Sequence, residues 1–296
     1  MPYKMGSESA RRIKNGLIER GRDALIVRQD GRYRYRRGDV IINWGTSRIP
    51  DWMNNDAVAH TLNKPHNVLN ASNKLNCFQS LFSSEIPTVP FTTDIDVARD
   101  WNDTVYVRHV LNGHSGEGIE IVEAEMDSET TQQILVLENA QNIIDNSGYN
   151  FNSIHSEIDR EIGELSSGQI MELPHAPLYT RKVDNHGEYR VHVFKGEVID
   201  YRKKSRRVDD EPTEDQRSIR TLGNGWIYRA TELNRIERVE TLAIDAIEAL
   251  GLDFGAVDII KDAAGEVYVL EVNTAVGSDD LTLSNYLNAI ENYATT

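Results

Sequence analysis

Two runs of strand-forming residues near the C-terminal end carry the most restrictive pattern in the sequence. The runs are FGAVDII (254–260) and VYVLEVN (267–273), and an Ala-Ala-Gly turn lies between them. Side chains two residues apart on a strand point to the same face, so Glu271 and Asn273 stand side by side. If the two runs pair as a hairpin, Asp258 joins them on that face. Mg²⁺ prefers oxygen ligands of these types, so the pattern indicates a magnesium site beside a phosphate.

A strand with one charged face precedes this hairpin. In EYRVHVF (188–194), Glu188, Arg190 and His192 alternate with Tyr189, Val191 and Val193, which predicts one core face and one polar face. A Lys-Gly-Glu turn leads into a second strand, which brings further cations close by: Lys203, Lys204, Arg206 and Arg207. So dense a basic cluster suggests an anionic ligand, and a solvated strand face is the alternative. His192 is either a general base or a structural, hydrogen-bonded histidine.

The composition limits the class of protein. The chain has 296 residues, of which 39% are apolar, so it is long enough for about two domains with a substantial core. A formal net charge of −15 argues against broad adhesion to nucleic acid, which needs a basic surface. The single cysteine, Cys77, excludes an intrachain disulfide and is expected to be a buried structural thiol. The sequence has no apolar run near the ~20 residues that span a bilayer and no apolar signal core, so we expect a cytoplasmic protein without membrane contact.

The remaining pattern predicts a mixed α/β (α+β) chain. We expect helices over 8–20, 63–86 and 230–252, a short strand over 24–29, and a basic hairpin-like piece over 30–39. Residues 104–125 predict a hairpin whose tip is rich in glycine, as phosphate-binding loops are, although a plain glycine turn is the alternative. Residues 126–172 are acidic, and we expect helices with loops there. Two prolines in PTVPFTT (87–93) mark a linker.

The order of these pieces resembles the ATP-grasp superfamily of ATP-dependent carboxylate–amine ligases. The likeness is strongest to the branch with D-alanine–D-alanine ligases and ribosomal-protein glutamate ligases, and it covers nearly the whole chain. The compact layout and the INWG segment (42–45) are similar to phage-encoded members. The resemblance implies an N-terminal α/β domain (1–90), a lid subdomain with the glycine loop (91–180) and a C-terminal subdomain with the metal site (181–296).

The resemblance also implies nucleotide contacts. Lys74 and Arg108 match positions where the family usually has two lysines on the ATP phosphates, and a guanidinium can clamp phosphate with two bonds. The loop 114–118 would close over the β- and γ-phosphates, with contacts from Ser115, Gly116 and Gly118. Glu188 would contact the ribose or a nearby polar group. The backbone of LYTRKV (178–183) would hold the adenine, which assigns that role to Thr180, Arg181, Lys182 and Val183.

Metal-binding and catalytic residues follow from the same resemblance. The family's magnesium ligands match Asp258, Glu271 and Asn273, and manganese is the alternative metal. The residues that would face the phosphate and acyl-phosphate end are Arg190, Lys203 and Arg206. Thr274 and Gly277 would border the acceptor. The chain departs from the family at Val276, often a proline, and at Ala256, where some ligases carry arginine. Arg206 or Arg220 would then fill the arginine's place.

The implied activity is amide-bond formation through an acyl phosphate, with ATP converted to ADP and phosphate. The leading substrate class is a small amino acid or peptide. An enzyme that adds amino acids to a protein or nucleic-acid acceptor is an alternative, and a non-catalytic ATP-binding regulator is another. A homodimer is left open.

Overall fold

A computed structural model of the chain describes residues 7–28, 31–50, 53, 55–113, 116–123, 128–146, 152–167, 171–207, 220, 223–230, 235–277 and 279–295. In this part of the chain the helices are α1 (Glu8–Glu19), α2 (Asn55–Ala59), α3 (Pro65–Ser72), α4 (Lys74–Ser83), α5 (Ile95–Arg99), α6 (Ser128–Asn146), α7 (Asn152–Ser167), α8 (Glu237–Ala249) and α9 (Asp280–Thr295). The strands are β1 (Ile41–Ile42), β2 (Thr61–Leu62), β3 (Phe91–Thr92), β4 (Val105–Arg108), β5 (Ile119–Val122), β6 (Leu178–Arg181), β7 (Gly187–Phe194), β8 (Glu197–Arg206), β9 (Trp226–Ala230), β10 (Phe254–Lys261) and β11 (Val267–Asn273). The mixed helix-and-sheet class predicted from the sequence is confirmed.

The chain forms two compact units. Unit 1 comprises Met1–Val89, Leu111–Gly116 and Val183–Thr296, and unit 2 comprises Pro90–Val110 and Glu117–Lys182. The changes of unit near residues 90 and 182 lie close to two of the expected domain boundaries. The first and third expected domains, 1–90 and 181–296, fall together in unit 1.

Unit 1 is built on a five-stranded antiparallel sheet with the order β11-β10-β7-β8-β9. One face of this sheet is apolar, because Tyr189, Val191 and Val193 alternate with polar residues along β7. Helices α3, α4 and α8 contribute buried apolar side chains to the same core. The stripe on α8 that the sequence indicated is buried there: Val239, Leu242, Ala243, Ala246 and Ile247. Cys77 is buried in this core as expected, and burial raises the pKa of its thiol to about 12.

The opposite face of the same sheet changes character along its length. At one end, Phe194 and Phe254 pack in a second apolar cluster with Trp44 of the INWG segment and with Tyr286 of α9. Further along β7 and β10 the same face carries polar and charged residues. A functional site on this sheet therefore lies beyond the apolar end, where the side chains become charged.

Unit 2 contains a four-stranded antiparallel sheet with the order β3-β6-β4-β5. Its core includes Val105 and Val107 of β4, and Tyr179 of β6. Strands β4 and β5 form the predicted glycine-tipped hairpin. Helices α6 and α7 lie in the acidic region, where helices were expected, and Gln141 Nε2 donates to Asp159 Oδ1 between them at 2.8 Å.

Several elements differ from the sequence expectation. Residues 24–28 form no strand, and a turn at 37–38 takes the place of the basic hairpin. The single helix expected over 63–86 is two helices, because Asn73 adopts an extended conformation and its side chain caps α4. Residue 230 belongs to β9 rather than to a helix, since the segment 226–230 pairs with β8. Within the described residues, no helix has the length and apolar character required to cross a membrane.

Candidate functional site

The β10–β11 hairpin brings three candidate metal ligands to one face. Asp258 lies directly opposite Glu271, and Ala256 lies opposite Asn273. Because cross-strand partners share a face and Glu271 and Asn273 are two residues apart, the three side chains project from the same side of the sheet. The spacing in the sequence predicted this arrangement. Their role as metal ligands stays a prediction.

Strand β7 places an arginine beside Asp258 from the other side. Arg190 lies opposite Asp258, and its Nε and Nη2 donate to the two carboxylate oxygens, each at 2.6 Å. Burial works to raise the pKa of Asp258, but the charge of Arg190 and its hydrogen bonds hold that pKa below its usual range. Burial also opposes the charge on Arg190, and the Asp258 carboxylate raises its pKa above the ordinary value. Both groups are therefore charged at neutral pH.

A second cation holds Glu271. Lys74 is the first residue of α4, and its Nζ lies 3.1 Å from Glu271 Oε1. The break at Asn73 fixes where this helix begins, because the Asn73 side chain accepts the backbone N–H of Asn76 at 3.0 Å. The local sequence Asn-Lys thus sets both the start of the helix and the position of the lysine. Lys74 and Glu271 come together from segments almost two hundred residues apart.

The residues fit a divalent cation. Asn273 Nδ2 is buried and has no hydrogen-bond partner among the described residues. The nitrogen and oxygen of an amide side chain are assigned from the hydrogen-bond network, and a flip of Asn273 would put its oxygen at this unpaired position. That oxygen would then be available to a metal ion. Two carboxylates and one amide oxygen suit Mg²⁺ or Mn²⁺. The described chain contains no metal-suited group of three or more His, Cys, Asp or Glu side chains, so this candidate site depends on the asparagine.

Glu188 lies in a cluster on the same face of the sheet. Its carboxylate accepts from the Lys204 ammonium group, from Tyr228 Oη at 3.3 Å and from Asn185 Nδ2 at 3.3 Å. The ring of Tyr228 also packs under two cations, 4.3 Å from Arg190 Cζ and 4.9 Å from Lys204 Nζ. Burial raises the pKa of Tyr228, so its hydroxyl stays protonated and can donate. Sequence reasoning missed Tyr228, although its place in the alternating run WIYRA was a usable signal.

The register of β8 separates the cations that the sequence grouped together. Lys204 and Arg206 share the face of Arg190, whereas Lys203 lies opposite Tyr189 and belongs to the other face. Lys203 is exposed there, so the structure does not bring it to Arg190 as the sequence led us to expect. Lys204, the next residue, lies on the face of Arg190 instead. The physical reason is the two-residue period of a strand, in which one position of error moves a side chain to the other face.

Two arginines meet at one indole ring on this unit. The guanidinium carbon of Arg206 lies 5.8 Å from the ring centre of Trp226, and that of Arg220 lies 4.6 Å from it. Arg220 also donates to the backbone carbonyl of Asn185 at 3.0 Å. Ala256, where some ligases of the resembled family carry arginine, lies opposite His192. Both candidate replacements for that arginine, Arg206 and Arg220, thus lie against the ring of Trp226.

A buried network lies beside the site and was not predicted from the sequence. Arg202 Nε donates to both oxygens of Asp200, at 3.0 and 2.9 Å. Its Nη1 and Nη2 donate to Asp279 at 2.8 and 3.0 Å, and Nη2 also donates to Thr282 Oγ1 at 2.8 Å. Asp279 in turn accepts the Thr282 backbone N–H at the start of α9. The arginine therefore ties β8 to the beginning of the last helix.

His192 belongs to the packed part of this face. Its Nδ1 lies 3.2 Å from Tyr286 Oη, and only 2% of the residue is exposed. Burial lowers the pKa of His192 to about 4, so the ring is neutral at neutral pH. Of the two alternatives, the structural, hydrogen-bonded histidine agrees with this environment. A buried and weakly basic imidazole gives no support to the general-base alternative.

The segments assigned to the acceptor and to the nucleotide loop are placed only in part. In unit 1, Thr274 is buried, Gly277 is exposed, and Val276 packs in the apolar cluster with Trp44 and Tyr286. Ser115 and His114 lie outside the described residues. Gly116 has φ +85°, and Gly118, in unit 2, has φ +68°. An added Cβ at Gly118 would lie 2.6 Å from Val110 Cγ2, so this position requires glycine.

Unit 2 holds the other residues assigned to the nucleotide. Arg108 Nε donates to Thr180 Oγ1 at 3.2 Å, across the β4–β6 pair. The backbone N–H groups of Arg181 and Lys182 donate to Pro90 and Thr104, each at 2.9 Å. Val183 begins the next part of unit 1. The nucleotide roles of these residues stay predictions.

Comparison with solved structures establishes the class of fold: the chain has the ATP-grasp fold. It is similar to D-alanine–D-alanine ligase from Bacillus anthracis, with a TM-score of 0.52 and 14% identity over 95% of this chain and 84% of that chain. It is also similar to the ATP-grasp ligase PsnB in complex with a minimal precursor, with a TM-score of 0.48 and 13% identity over 81% of this chain and 67% of that chain. For D-cycloserine synthetase DcsG the TM-score is 0.47 and the identity 17%, over 79% and 74% of the two chains.

The likeness to D-alanine–D-alanine ligase shows the fold and leaves the substrate to chemical argument. The chain spans about two thirds of the PsnB chains to which it is similar, with 67%, 65% and 61% of their length covered in three complexes. No protein-family model matches the sequence, and no curated protein matches it.

Proposed function

We propose that the protein is an ATP-dependent carboxylate–amine ligase that forms an amide bond through an acyl phosphate and releases ADP and phosphate. The observation that carries this proposal is the convergence of Asp258, Glu271 and Asn273 with Arg190 and Lys74 on one face of unit 1. Oxygen ligands next to cations suit a metal-bound triphosphate. The ATP-grasp fold provides the setting for such a site.

The chemistry explains why the site needs several positive charges. A free carboxylate resists attack by an amine because its oxygen is a very poor leaving group. Transfer of the γ-phosphoryl group of ATP to the carboxylate makes an acyl phosphate, from which phosphate leaves readily when the amine attacks. Phosphoryl transfer depends mainly on positioning and on neutralising the charge of the phosphate oxygens. Arg190, Lys204 and Lys74 are the cations that the described sheet face and α4 supply for this.

The metal ligands are held by these same cations. Arg190 takes both oxygens of Asp258, and Lys74 contacts Glu271. When bound between Asp258, Glu271 and Asn273, Mg²⁺ would supply charge neutralisation and polarisation of phosphate oxygens. Arg190 and Lys74 are then free to donate to the anionic substrate. On metal and nucleotide binding, the carboxylates of Asp258 and Glu271 would pair with the metal, and Arg190 and Lys74 would pair with the phosphates. No buried charge is then left without a partner.

Stabilisation of the oxyanion that forms on amine attack needs a further donor. Arg206 and Arg220 both lie against Trp226, and an arginine in this position is preorganised by the ring. We assign the role to this pair, in place of the arginine that Ala256 does not provide. The small amino acid or peptide remains our leading substrate class.

The experiment that tests the proposal is phosphate release from ATP and Mg²⁺ across pooled amino acids and peptides. The variant Glu271→Ala is measured beside it, and Glu248→Ala, an exposed carboxylate on α8, serves as the matched control. We expect one pool to stimulate phosphate release in the wild type and the control, and the stimulation to be lost in Glu271→Ala. ATP binding without turnover in any pool, when protein and nucleic-acid acceptors also fail, would favour the regulator instead.

A further inference from the structure

A strip of arginines lies on unit 1, apart from the residues assigned to ligation. Burial alternates along residues 31–36: Arg32, Arg34 and Arg36 are exposed, whereas Tyr33 and Tyr35 are half-buried. A period of two is that of an extended chain, in which alternate side chains are about 7 Å apart. Arg37 follows and is also exposed. We call Arg32, Arg34, Arg36 and Arg37 the arginine strip.

The two tyrosines order this strip, Tyr33 through a contact within the same segment and Tyr35 through a contact to His60. The Tyr33 hydroxyl donates to the Asp39 carboxylate, which also accepts the backbone N–H of Arg36 at 2.9 Å. The ring of Tyr35 stacks on His60, with ring centres 5.2 Å apart and planes 7° apart. The half-buried tyrosines and the exposed arginines thus lie on opposite sides of a segment that is ordered by these contacts.

Three of the four arginines of the strip have no ion-pair partner among the residues that the structure describes, and the fourth, Arg36, lies near Asp39. The chain has 47 acidic and 32 basic residues, so carboxylates are abundant. Even so, Arg32, Arg34 and Arg37 form no ion pair with any residue that the structure describes. Arg32 and Arg34 also have no hydrogen-bond partner for backbone or side chain among those residues. Other arginines of the chain are paired, as at Arg20, Arg202 and Arg238.

We propose that the arginine strip is a docking surface for an extended acidic peptide with carboxylates at alternate positions. Such a peptide repeats its acidic side chains at the same spacing of about 7 Å, so each can meet one guanidinium in a bidentate pair. The backbone groups of Arg32 and Arg34, which have no partner in the described part of the chain, can bond to the peptide main chain, as in strand addition. A nucleic acid fits less well, because it has no main-chain N–H and C=O groups to pair with those of Arg32 and Arg34.

Peptide binding is measured without ATP, so the proposal stands independently of the ligase activity. The probe is a short fluorescein-labelled peptide in which Glu alternates with Thr, followed by fluorescence anisotropy at about 0.15 M salt. Two competitors are a peptide of the same composition with its Glu residues in one block, and single-stranded oligo-dT of equal charge. The strip variant combines Arg32→Gln, Arg34→Gln and Arg37→Gln. The control variant removes three exposed charges elsewhere through Arg11→Gln, Arg160→Gln and Arg238→Gln.

We expect the strip variant to bind the alternating peptide at least about tenfold more weakly than the wild type, and the control to bind within about twofold of it. Tyr35→Ala keeps every charge but removes the stack on His60, and it should also weaken binding. Circular dichroism melts show that each variant is folded. Equal binding of the block peptide, tighter binding of oligo-dT, an equal loss in the control, or no binding by the wild type would each overturn the proposal.

Discussion

Replacing Arg202 tests the reasoning about the buried network most directly. The residue is 5% exposed, and its guanidinium makes five hydrogen bonds to Asp200, Asp279 and Thr282. In Arg202→Met the side chain keeps much of its length but loses its charge. Asp200, which is 7% exposed, is then left in the interior without its cation. The variant therefore removes one partner of a buried pair and does not replace the pair as a whole.

The expected loss of stability in Arg202→Met depends on which of the two carboxylates, Asp200 or Asp279, is buried. Breaking a buried pair by removing one partner costs about 3–5 kcal/mol, because the remaining charge is uncompensated. Asp279 adds little to this loss, since its side chain is 56% exposed and water can solvate it. We therefore expect a loss near about 3–4 kcal/mol. At about 2–4 °C per kcal/mol, the Tm should fall by about 6–16 °C.

The assay is urea unfolding combined with thermal melts of wild type, Arg202→Met and Arg229→Met. Arg229 is exposed on β9 and serves as a control, which should change the stability by less than about 0.5 kcal/mol. The double variant Arg202→Met with Asp200→Asn should be more stable than Arg202→Met alone, because the uncompensated charge is gone. A loss below about 1 kcal/mol in Arg202→Met, or no recovery in the double variant, would refute the argument.

Three further results are expected. In Arg190→Gln, Mn²⁺ should bind about tenfold more tightly without nucleotide, since Asp258 loses its internal cation; an unchanged affinity in calorimetry would contradict the proposed exchange. Burial works to raise the pKa of Asp279, but its hydrogen bonds and Arg202 lower that pKa below the ordinary value. The stability that Asp279 contributes is therefore present above its unfolded pKa of about 3.9 and is lost as the pH falls through the lower, folded pKa. Asp279→Asn should flatten the acid unfolding curve in that pH range. Gly45→Ala should lower the free energy of unfolding by about 2 kcal/mol, because φ of residue 45 is +81° and the new Cβ would lie 2.4 Å from Ala275 Cβ. An unchanged free energy of unfolding in urea would contradict this close contact.

The elements that the sequence predicted well are those whose pattern and pairing are both local. The β10–β11 hairpin has a two-residue period and a short glycine turn, so its existence follows from the chain itself, and so does that of the β7–β8 hairpin. The exact register does not, because it shifts between Asp258 and Ile259 in the first hairpin and between His192 and Val193 in the second. The stripe on α8 was also visible, although the helix begins later than expected, since residue 230 belongs to β9 and Ile236 is extended just before Glu237.

The features that escaped prediction depend on contacts between distant segments. Arg202 is one of several basic residues in a short run, and only the position of α9 gives it Asp279 and Thr282 as partners. Tyr228 lies on a strand that exists because β8 pairs with it, and its hydroxyl then reaches Glu188. The contact of Lys74 with Glu271 likewise needs the packing of α4 against the large sheet. No periodicity in the sequence specifies these partners.

The two adjacent lysines on β8 show what the strand register adds to the sequence, and replacing each of them in turn gives a matched pair of variants. Lys203 and Lys204 are adjacent and chemically identical, so the sequence could not separate them. The pairing with β7 puts Lys204 on the face of Glu188 and Arg190 and leaves Lys203 exposed on the other.

If the phosphates of ATP bind the face of Arg190, Lys204→Gln should weaken ATP binding by about tenfold, the value of one charge-assisted hydrogen bond. Lys203→Gln removes the same charge from the same strand and should stay within about twofold of the wild type, because long-range charge effects at an exposed site are screened. Fluorescent-nucleotide titrations of the two variants at equal salt measure both values. Equal losses would mean that only the net charge of the strand matters, and the reverse order would place the nucleotide on the opposite face of the sheet.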